Sequence, residues 1–400
     1  MEQILYRYNP WWENNFSVEG LIERESPLQK LYKNFHSKQI LFITGIRRIG
    51  KTSLLKLFIH KLLNEENIHP QKIFFVSLDD YLLDKYSIPD IVDHFRSIQR
   101  LKYTDKIFLF FDEVTYKDDF ELQLKNLTDH QNVKIIATSS SASHIRHKKP
   151  YLTGRQFTME LLPLTFFEYL KFKNLTIKKR DKHLEKEYFK DFLKTGGIPE
   201  YVLTGDIEYL KELVDDILYK DIIAYYHLKD EQLIKDFFLL LMERAGKQIS
   251  INKISSILSI SVDTARRYLN MFANCYLIHL IDRYGKTNQR ILSPKKIYAA
   301  DLGIRNIFTG YRDFGSLFEN YAFLRFKHIH PRYLYEEKTE IDFILNDHLL
   351  VEAKYHNEDI PKNQKRLLDS FPGKSFMIVR NEEDIRQALS KVSRLSPNSK

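Results

Sequence analysis

The sequence contains few of the features that mark secreted, disulfide-linked or membrane-spanning proteins. One of its 400 residues is cysteine, Cys275, so no intramolecular disulfide and no cysteine-rich zinc site can form. No apolar run approaches the roughly 20 residues that a membrane-spanning helix needs. The first residues lack the basic-then-apolar order of a signal peptide. These absences predict a cytoplasmic protein.

Positive charge is concentrated in one part of the chain. The whole chain has a net charge of +9, but residues 251–300 contain eight Lys and Arg against two Asp. Localised positive charge suits a partner with a phosphate backbone. Charge alone is explained equally well by a solvated basic face that has no partner.

The residue pattern changes along the chain, which indicates several domains. The first 165 residues alternate helical stretches with short, nearly continuous apolar runs, and such runs are typical of central strands in an α/β sheet. Residues 163–248 are mainly helical in pattern, and the last hundred residues follow the order α-β-β-β-α-β. The four apolar runs of the first part are 39–44, 72–78, 106–111 and 133–138.

Residues 45–52 fit the phosphate-binding pattern G-x-x-x-x-G-K-[ST] completely. They follow an apolar strand and precede a helical run, where glycines let main-chain N–H groups surround a polyphosphate. Lys51 would reach the β- and γ-phosphates of ATP, and the Thr52 hydroxyl would bind Mg²⁺. The residues predicted to bind the nucleotide here are Gly45, Ile46, Arg47, Arg48, Ile49, Gly50, Lys51, Thr52 and Ser53.

Two carboxylates, Asp112 and Glu113, end the third apolar run. If this strand lies beside the strand that precedes the phosphate-binding loop at 45–52 (the P-loop), Asp112 reaches the Mg²⁺ and Glu113 polarises the attacking water. The next run ends in hydroxyl-bearing residues, of which Ser140 or Thr138 would sense the γ-phosphate. A polar turn at the end of a strand is the alternative for either residue. ATP and Mg²⁺ are therefore the predicted ligands, with Lys51 and Glu113 as catalytic residues.

Several motifs occur in an order that resembles a known family. They are N-P-W-W at 9–12, the P-loop, Gly154-Arg155, Pro163-Leu164 followed by Glu168, and G-G-I-P-E at 196–200. Together they resemble the archaeal-type AAA ATPases, relatives of the STAND signalling ATPases, over nearly the whole chain. The resemblance implies an α/β fold: a P-loop NTPase parallel sheet, a helical lid, a winged helix-turn-helix and a C-terminal restriction-endonuclease-like domain.

The same resemblance implies further site residues and domain limits. Arg155 would lie close to the phosphates and Pro199 would pack near the adenine, whereas Ser139 departs from the glycine common at its position. A homo-oligomer is compatible with the resemblance. The implied domains are the ATPase core at 1–165, the lid at 166–235, the winged helix-turn-helix at 236–290 and the PD-(D/E)xK nuclease-like domain at 291–400.

Residues 250–276 are typical of two short helices around a turn, 251–258 and 262–275, with Ser261 as N-cap of the second. The second helix resembles the recognition helix of a winged helix-turn-helix. Arginine can bond both phosphates and guanine edges, so an exposed basic helix and wing predict a DNA-binding surface. An internal packing module is the alternative. The predicted nucleic-acid contacts are Arg266 and Arg267 on the helix and Lys286 and Arg290 on the wing.

Asp342, Glu352 and Lys354 fit the core pattern D-x(n)-E-x-K. A hairpin turn at 346–348 would place Asp342 opposite Glu352, and side chains two apart on a strand share a face. The two acids would hold Mg²⁺ while Lys354 activates water, so these three are predicted catalytic residues. Glu319 on the preceding helix is a third predicted metal ligand.

Glu340, on the same strand as Asp342, is a reserve carboxylate. The whole pattern resembles the nuclease-like domain of the same ATPases. A salt-bridged hairpin is the structural alternative. Because a fold does not establish an activity, such a domain can also bind DNA without cutting it. The leading hypothesis is thus an ATP-driven switch that binds and cleaves DNA, and the second is an ATP-controlled DNA-binding or regulatory module. A small-molecule kinase is disfavoured, because the appended domains exceed that task.

Overall fold

The structure, a computed structural model, describes residues 1–14, 16–140, 151–355, 360–371 and 373–395. The chain divides into two compact units, Met1–Leu162 and Pro163–Lys400. In the described ranges, no helix is both long enough and apolar enough to cross a lipid bilayer.

A five-stranded parallel sheet forms the centre of the first unit, with the strand order β2-β3-β4-β1-β5. Most residues of its inner strands are buried, as the apolar runs predict. The fifth strand was missed, because its alternating polar residues give no apolar run. The strands are β1 (Ile40–Thr44), β2 (Ile73–Ser77), β3 (Ile107–Asp112), β4 (Val133–Ser139) and β5 (Gln156–Glu160).

Helices cover this sheet and bury its aromatic and aliphatic side chains in one hydrophobic core. The fourth helix begins with a reciprocal capping box between Ser87 and Asp90. The helices are α1 (Glu2–Tyr8), α2 (Glu25–Phe35), α3 (Lys51–Asn64), α4 (Ile88–Gln99) and α5 (Phe120–His130), with 3₁₀ turns at Pro10–Trp12, Pro70–Lys72, Tyr81–Leu83 and Val114–Tyr116.

The strand order corrects one prediction about the carboxylate strand. Strand β3 was expected beside the P-loop strand β1, but it pairs with β2 and β4, and β4 lies between β3 and β1. All five strands are parallel, so their carboxyl ends still meet at one edge of the sheet. The residue after β1 and the last residue of β3 therefore lie at the same edge.

The N-terminal segment covers the outer edge of β2. The buried Asn9 side chain donates to the Phe75 carbonyl at 2.8 Å and accepts from the Phe75 N–H at 2.7 Å, as a neighbouring strand would. The indole N–H groups of Trp11 and Trp12 both donate to the Ile73 carbonyl, at 3.1 and 3.0 Å. The N-P-W-W motif thus satisfies main-chain groups of an edge strand.

The second unit begins with helices, in agreement with the pattern of residues 163–248. Pro199 is the first residue of its helix, where its missing N–H has no partner to lose. The elements are α6 (Phe166–Phe172), a 3₁₀ segment (Lys179–Leu184), α7 (Glu185–Thr195), α8 (Pro199–Thr204), α9 (Ile207–Asp216), a π-helical segment (Ile217–Ala224) and α10 (Glu231–Glu243).

A small antiparallel sheet, ordered β6-β8-β7, follows these helices. Ser261 caps its helix as predicted, because its hydroxyl accepts from the Thr264 N–H at 3.1 Å. The sheet contains residues on both sides of the predicted limit at 290. Its elements are β6 (Gln248–Ile249), α11 (Ile251–Ile257), α12 (Val262–Asn274), β7 (Ile278–Ile281), α13 (Thr287–Leu292) and β8 (Lys295–Ala299).

The C-terminal part has a four-stranded sheet ordered β12-β11-β10-β9. Phe343 pairs with Val351 across the β10–β11 hairpin, which is the register that a turn at 346–348 requires. Asn346 and Asp347 take positive φ angles of 45° and 62° in that turn. The elements are α14 (Leu302–Thr309), α15 (Phe314–Phe326), a 3₁₀ turn (Lys327–Ile329), β9 (Arg332–Glu336), β10 (Thr339–Leu345), β11 (Leu349–Ala353), α16 (Lys362–Asp369), β12 (Ser375–Val379) and α17 (Glu382–Leu395).

We predict that Asn9→Ala lowers the free energy of unfolding by about 2–4 kcal/mol, because it leaves the buried Phe75 N–H and carbonyl without partners. Urea denaturation measures this change. Asn64→Ala is the matched control, since Asn64 is exposed and bonds only within its helix; its effect should stay within about 0.5 kcal/mol. Equal effects of the two changes would contradict the structural role of Asn9.

Candidate functional site

The P-loop connects the carboxyl end of β1 to the N-terminus of α3. Gly45 has φ +141°, and a Cβ there would lie 2.5 Å from the Leu161 carbonyl oxygen. Gly50, with φ +95°, precedes the first residue of α3. Both positions therefore require glycine, and the loop leads directly into the helix N-terminus, where main-chain N–H groups can bind an anion.

Lys51 is 5% exposed and lies inside this loop. Its ammonium donates to the carbonyls of Gly45 and Ile46, at 3.1 and 3.2 Å, and lies 3.6 Å from a Glu113 carboxylate oxygen. Burial lowers the pKa of Lys51, and the nearby carboxylates of Glu113 and Asp112 oppose that shift. The amine is thus held at the point where β1 and β3 end.

Asp112 lies between two hydroxyl groups. Its Oδ2 accepts from Thr52 Oγ1 at 2.5 Å, and its Oδ1 accepts from Thr138 Oγ1 at 2.5 Å. Burial raises the pKa of Asp112, and these two hydrogen bonds act in the opposite direction. A carboxylate and a hydroxyl this close are oxygen donors of the kind that Mg²⁺ prefers.

Glu113 is held by the end of β4. Its main-chain N–H donates to Thr138 Oγ1 at 2.9 Å. Its Oε2 accepts from both the N–H and the hydroxyl of Ser140, at 3.1 and 3.0 Å. Of the two acids, Thr138 therefore contacts both, and Ser140 contacts Glu113. The two residues that the sequence pattern left as alternatives thus have different positions in the site.

The remaining P-loop residues differ in exposure. Ile46 and Ile49 are buried and pack inward, while Arg48 is exposed, with φ +59°. Arg47 donates to the Tyr116 hydroxyl at 3.1 Å. Ser53 is half-buried in the first turn of α3. These positions are compatible with main-chain contacts to a nucleotide and do not single out any of these side chains for a specific role.

The prediction that Arg155 lies close to the phosphates is wrong. Its carbonyl accepts from the Ile40 N–H at the start of β1, and its guanidinium pairs with Asp129. Since β1 and β5 are parallel, with Ile40 opposite Gln156, Arg155 lies at the amino edge of the sheet. The P-loop follows the other end of β1, roughly 16 Å away at about 3.3 Å per residue.

Pro199 lies in the second unit, and its predicted place near the adenine stays a prediction. The loop before it is fixed within that unit, because the Gly197 N–H donates to Asp301 Oδ2 at 2.6 Å. A Cβ on Gly197 would lie 2.5 Å from the Leu164 nitrogen, so the loop is closely packed. Burial raises the pKa of Asp301 to about 6, although main-chain N–H groups, including that of Gly197, lower it.

Three of the C-terminal acids, Glu319, Glu340 and Asp342, converge on a lysine that the sequence analysis did not select. The ammonium of Lys296, on β8, lies 2.7 Å from Glu319 Oε1 and 3.0 Å from Asp342 Oδ1, and it also pairs with Glu340. Lys296 is 1% exposed. Tyr298, two residues along the same strand, donates to Glu319 Oε1 at 2.8 Å.

Glu352 lies next to this group and has its own partners. The Lys354 ammonium is 3.0 Å from Glu352 Oε1, and the Gln364 amide donates to the same oxygen at 2.7 Å. The Asp342 N–H approaches Glu352 Oε2 at 3.3 Å, so Asp342 and Glu352 are neighbours, as the hairpin register predicts. We call Lys296, Glu319, Glu340, Asp342, Glu352 and Lys354 the C-terminal charge cluster.

Burial is the largest cause of the pKa shifts of two acids in this cluster. It raises the pKa of Glu319 to about 8, with Asp342 adding to the shift and Lys296 opposing it. It raises the pKa of Glu352 to about 7, again with Asp342 adding and Lys354 opposing. For Lys296, burial acts to lower the pKa, but Glu319, Asp342 and Glu340 together hold it well above its usual value. The lysine therefore stays charged at neutral pH.

The predicted Mg²⁺ site of Glu319, Asp342 and Glu352 does not fit this arrangement. A metal ion needs free carboxylate oxygens around one point, but the Lys296 ammonium lies between Glu319 and Asp342, and Glu352 is paired with Lys354 and Gln364. No set of three or more His, Cys, Asp or Glu side chains among the described residues is arranged to hold a metal ion. The metal prediction for these three acids is corrected accordingly.

The predicted nucleic-acid contacts are all exposed. Arg266 and Arg267 lie on the outer face of α12, where Arg266 pairs with Asp263 at 3.2 Å. Lys286 and Arg290 were expected on a strand-like wing, but Lys286 is the N-cap of α13 and Arg290 lies within that helix. The tip of the β7–β8 hairpin is thus a short exposed helix, because Gln289 accepts from the Lys286 N–H at 3.2 Å and closes its first turn.

Comparison with known proteins shows which family the chain belongs to. Residues 37–170 match the model of an AAA domain, and residues 186–314 match a domain of unknown function (DUF8612). The uncharacterized protein MJ1544 of Methanocaldococcus jannaschii is 30% identical over an alignment of 327 residues, which covers 77% of this chain and 72% of that protein. The chain belongs to the same family as MJ1544.

A second protein of the same archaeon, uncharacterized protein MJ1637, is 28% identical over an alignment of 322 residues, which covers 74% of this chain and 66% of that protein. Both alignments are much longer than the AAA domain, so the similarity continues into the second unit. Among solved structures, the Aeropyrum pernix ORC1 protein in complex with DNA superposes with a TM-score of 0.35 at 12% identity, over 76% of this chain and 96% of that one. This overall superposition is too loose to support any further argument.

The sequence contains a signal for Lys296 but none for Gln364. Lys296 stands at the start of the run Lys-Ile-Tyr-Ala, and the two-residue period of a strand places it on the same face as Tyr298. This period gives the face of the lysine but does not pair it with its acids, which lie 23 to 46 positions further along the chain. Gln364, by contrast, lies on α16, after the D-x(n)-E-x-K pattern, and no motif in the sequence marks it.

We predict that Lys51→Ala abolishes nucleotide binding, and that Glu113→Gln keeps binding but lowers turnover by about 10²–10⁴-fold, the usual contribution of general base catalysis. Fluorescent-nucleotide titration and phosphate release measure the two effects. Lys56→Ala is the control, because Lys56 is exposed on the same helix. Hydrolysis by Lys51→Ala at the original rate would place the active site elsewhere.

Proposed function

We propose that this protein is a Mg²⁺-dependent ATPase that works as a nucleotide-controlled switch for DNA binding. The observation that carries the proposal is the group formed by Lys51, Thr52, Asp112, Glu113 and Ser140. These side chains come from three elements and are linked by hydrogen bonds or ionic contacts of 2.5–3.6 Å. Their types and their position at one sheet edge suit phosphoryl transfer to water.

Each residue has a distinct part in that reaction. The main-chain N–H groups of the loop and the Lys51 ammonium would bind the phosphates. Thr52 and Asp112 would hold Mg²⁺, which neutralises charge on the β- and γ-phosphates when bound. Glu113 would orient and deprotonate the attacking water, and Ser140 fixes the carboxylate for that task through two hydrogen bonds.

The small antiparallel sheet supports the DNA-binding half of the proposal. The element order from α10 to β8, with the sheet order β6-β8-β7, supports the proposal that these residues form a winged helix-turn-helix. Its second helix, α12, has exposed Arg266 and Arg267. The tip helix α13 adds Lys286 and Arg290 next to the strongly exposed Ile291 and Leu292. Basic groups beside apolar groups on a protruding element suit a duplex groove.

A nucleotide-controlled module that binds DNA without cutting it is favoured over a nuclease. The specific observation is the Lys296 ammonium among Glu319, Glu340 and Asp342, where a nuclease of this type would hold its metal ion. In this proposal the C-terminal domain contributes to assembly or DNA contact, and chemistry is confined to the P-loop.

The double variant Arg266→Ala/Arg267→Ala should weaken binding to duplex DNA at every sequence. The slope of log affinity against log salt should fall by about one for each phosphate group that the variant no longer neutralises. Fluorescence anisotropy over a salt series measures both quantities. Lys235→Ala on α10 is the control, since it removes an exposed positive charge outside α12 and α13. Unchanged affinity and slope in the double variant would exclude this surface.

Labelled duplex, branched and single-stranded DNA should remain intact after incubation with the protein, Mg²⁺ and ATP. Salt-sensitive DNA binding should persist in Glu352→Ala and Lys354→Ala, because the proposed DNA contacts lie on α12 and α13. Gel electrophoresis detects products, and comparison with Lys354→Ala identifies any contaminating nuclease. Cleavage that disappears in Lys354→Ala would instead establish the nuclease.

A further inference from the structure

The C-terminal charge cluster contains an internal cation that is built into its hydrogen bonding. The Lys296 ammonium contacts carboxylates from two elements: Glu319 on α15, and Glu340 and Asp342 on β10. An ammonium has three N–H donors, and each of them has one carboxylate to bind. Lys296 is buried, so no water competes for these positions.

The carboxylate oxygens of this cluster are engaged by donors from the protein itself. Asp342 uses Oδ1 for Lys296 and Oδ2 for the Ala353 N–H at 3.0 Å. Glu340 uses Oε1 for Lys296 and Oε2 for the Gln248 amide at 2.7 Å. A divalent metal ion would have to displace several of these donors and lie beside a buried like charge.

The donors come from a different sheet than the two β10 acids. Gln248 on β6 and Lys296 on β8 are paired directly across their strands, and both reach Glu340 on β10. This polar contact joins the small antiparallel sheet to the four-stranded sheet, in addition to the main-chain hydrogen bonds that link Tyr333 on β9 to Asp282 and Tyr284 after β7. The cross-strand pair Gln248 and Lys296 therefore adds a side-chain link between the two sheets.

We propose that Lys296 is the permanent counter-ion of the C-terminal charge cluster, where it takes the place of the divalent metal ion of a nuclease-like site. The same lysine joins the small antiparallel sheet to the four-stranded sheet. The cluster is therefore a structural joint, and divalent cations do not enter it. This inference concerns the second unit alone and is independent of nucleotide hydrolysis and of DNA binding.

Binding of Mn²⁺ alone, without nucleotide, tests the metal half of the inference. Electron paramagnetic resonance counts the bound ion in the wild type, Asp342→Asn, Lys296→Met and the double variant Lys296→Met/Asp342→Asn. We expect the wild type and Asp342→Asn to bind the same amount. Lys296→Met should gain a site with at least about tenfold tighter binding than any wild-type site, and the double variant should lack that additional site.

The wild type and Asp342→Asn give a decisive comparison even if Lys296→Met does not fold. A wild-type Mn²⁺ site that disappears in Asp342→Asn would overturn the inference. Asp112→Asn in the same assay identifies any ion bound at the P-loop, so failure here is distinguishable from failure of the proposed ATPase function.

Thermal unfolding tests the structural half. Lys296→Met should melt at a lower temperature than the wild type in metal-free buffer, because it leaves buried carboxylates without their cation. Mn²⁺ should raise the melting temperature of Lys296→Met by more than that of the wild type, whose only expected Mn²⁺ site is at Asp112. Lys295→Met is the matched control, since Lys295 is exposed beside it on β8 and should melt like the wild type. Equal melting temperatures for the wild type and Lys296→Met in metal-free buffer would overturn the joint.

Discussion

The carboxylate of Asp112 accepts hydrogen bonds from Thr52 on α3 and from Thr138 on β4, and these two bonds organise the candidate active site. They are possible only because parallel strands end at a common edge, so that residues distant in sequence meet there. Thr138 also receives the Glu113 N–H, which fixes the direction of the second acid. The positions of Lys51 and Ser140 relative to that acid then follow from the loop and from the end of β4.

Buried charge is handled differently in the two units. At the sheet edge of the first unit, Lys51 and the acids Asp112 and Glu113 contact main-chain groups and hydroxyls that a bound polyanion could replace. In the C-terminal charge cluster, cations and acids neutralise one another within the protein. The large cost of burying charge is offset in the second case by permanent partners, whereas the first arrangement keeps donors that can be redirected to a ligand.

Local patterns predicted what depends on neighbouring residues. The P-loop, the Ser261 cap and the β10–β11 register follow from glycine spacing, capping chemistry and turn length, and the structure contains all three. Arg155 was misplaced because strand β5, which it directly precedes, was not predicted, so the motif could not be assigned to an edge of the sheet. Lys296 was missed because its partners are 23 to 46 positions away, a distance over which no periodicity operates. The strand between β1 and β3 likewise depends on topology, which short runs do not encode.

The N-terminal cover of β2 has a consequence for the behaviour of the molecule in concentrated solution. An outer strand with open N–H and carbonyl groups is a template on which another polypeptide can add a strand. Asn9, Trp11 and Trp12 occupy those groups at Phe75 and Ile73 through side-chain contacts. A shortened protein lacking its first twelve residues would expose these N–H and carbonyl groups of β2, and we expect it to self-associate through that edge.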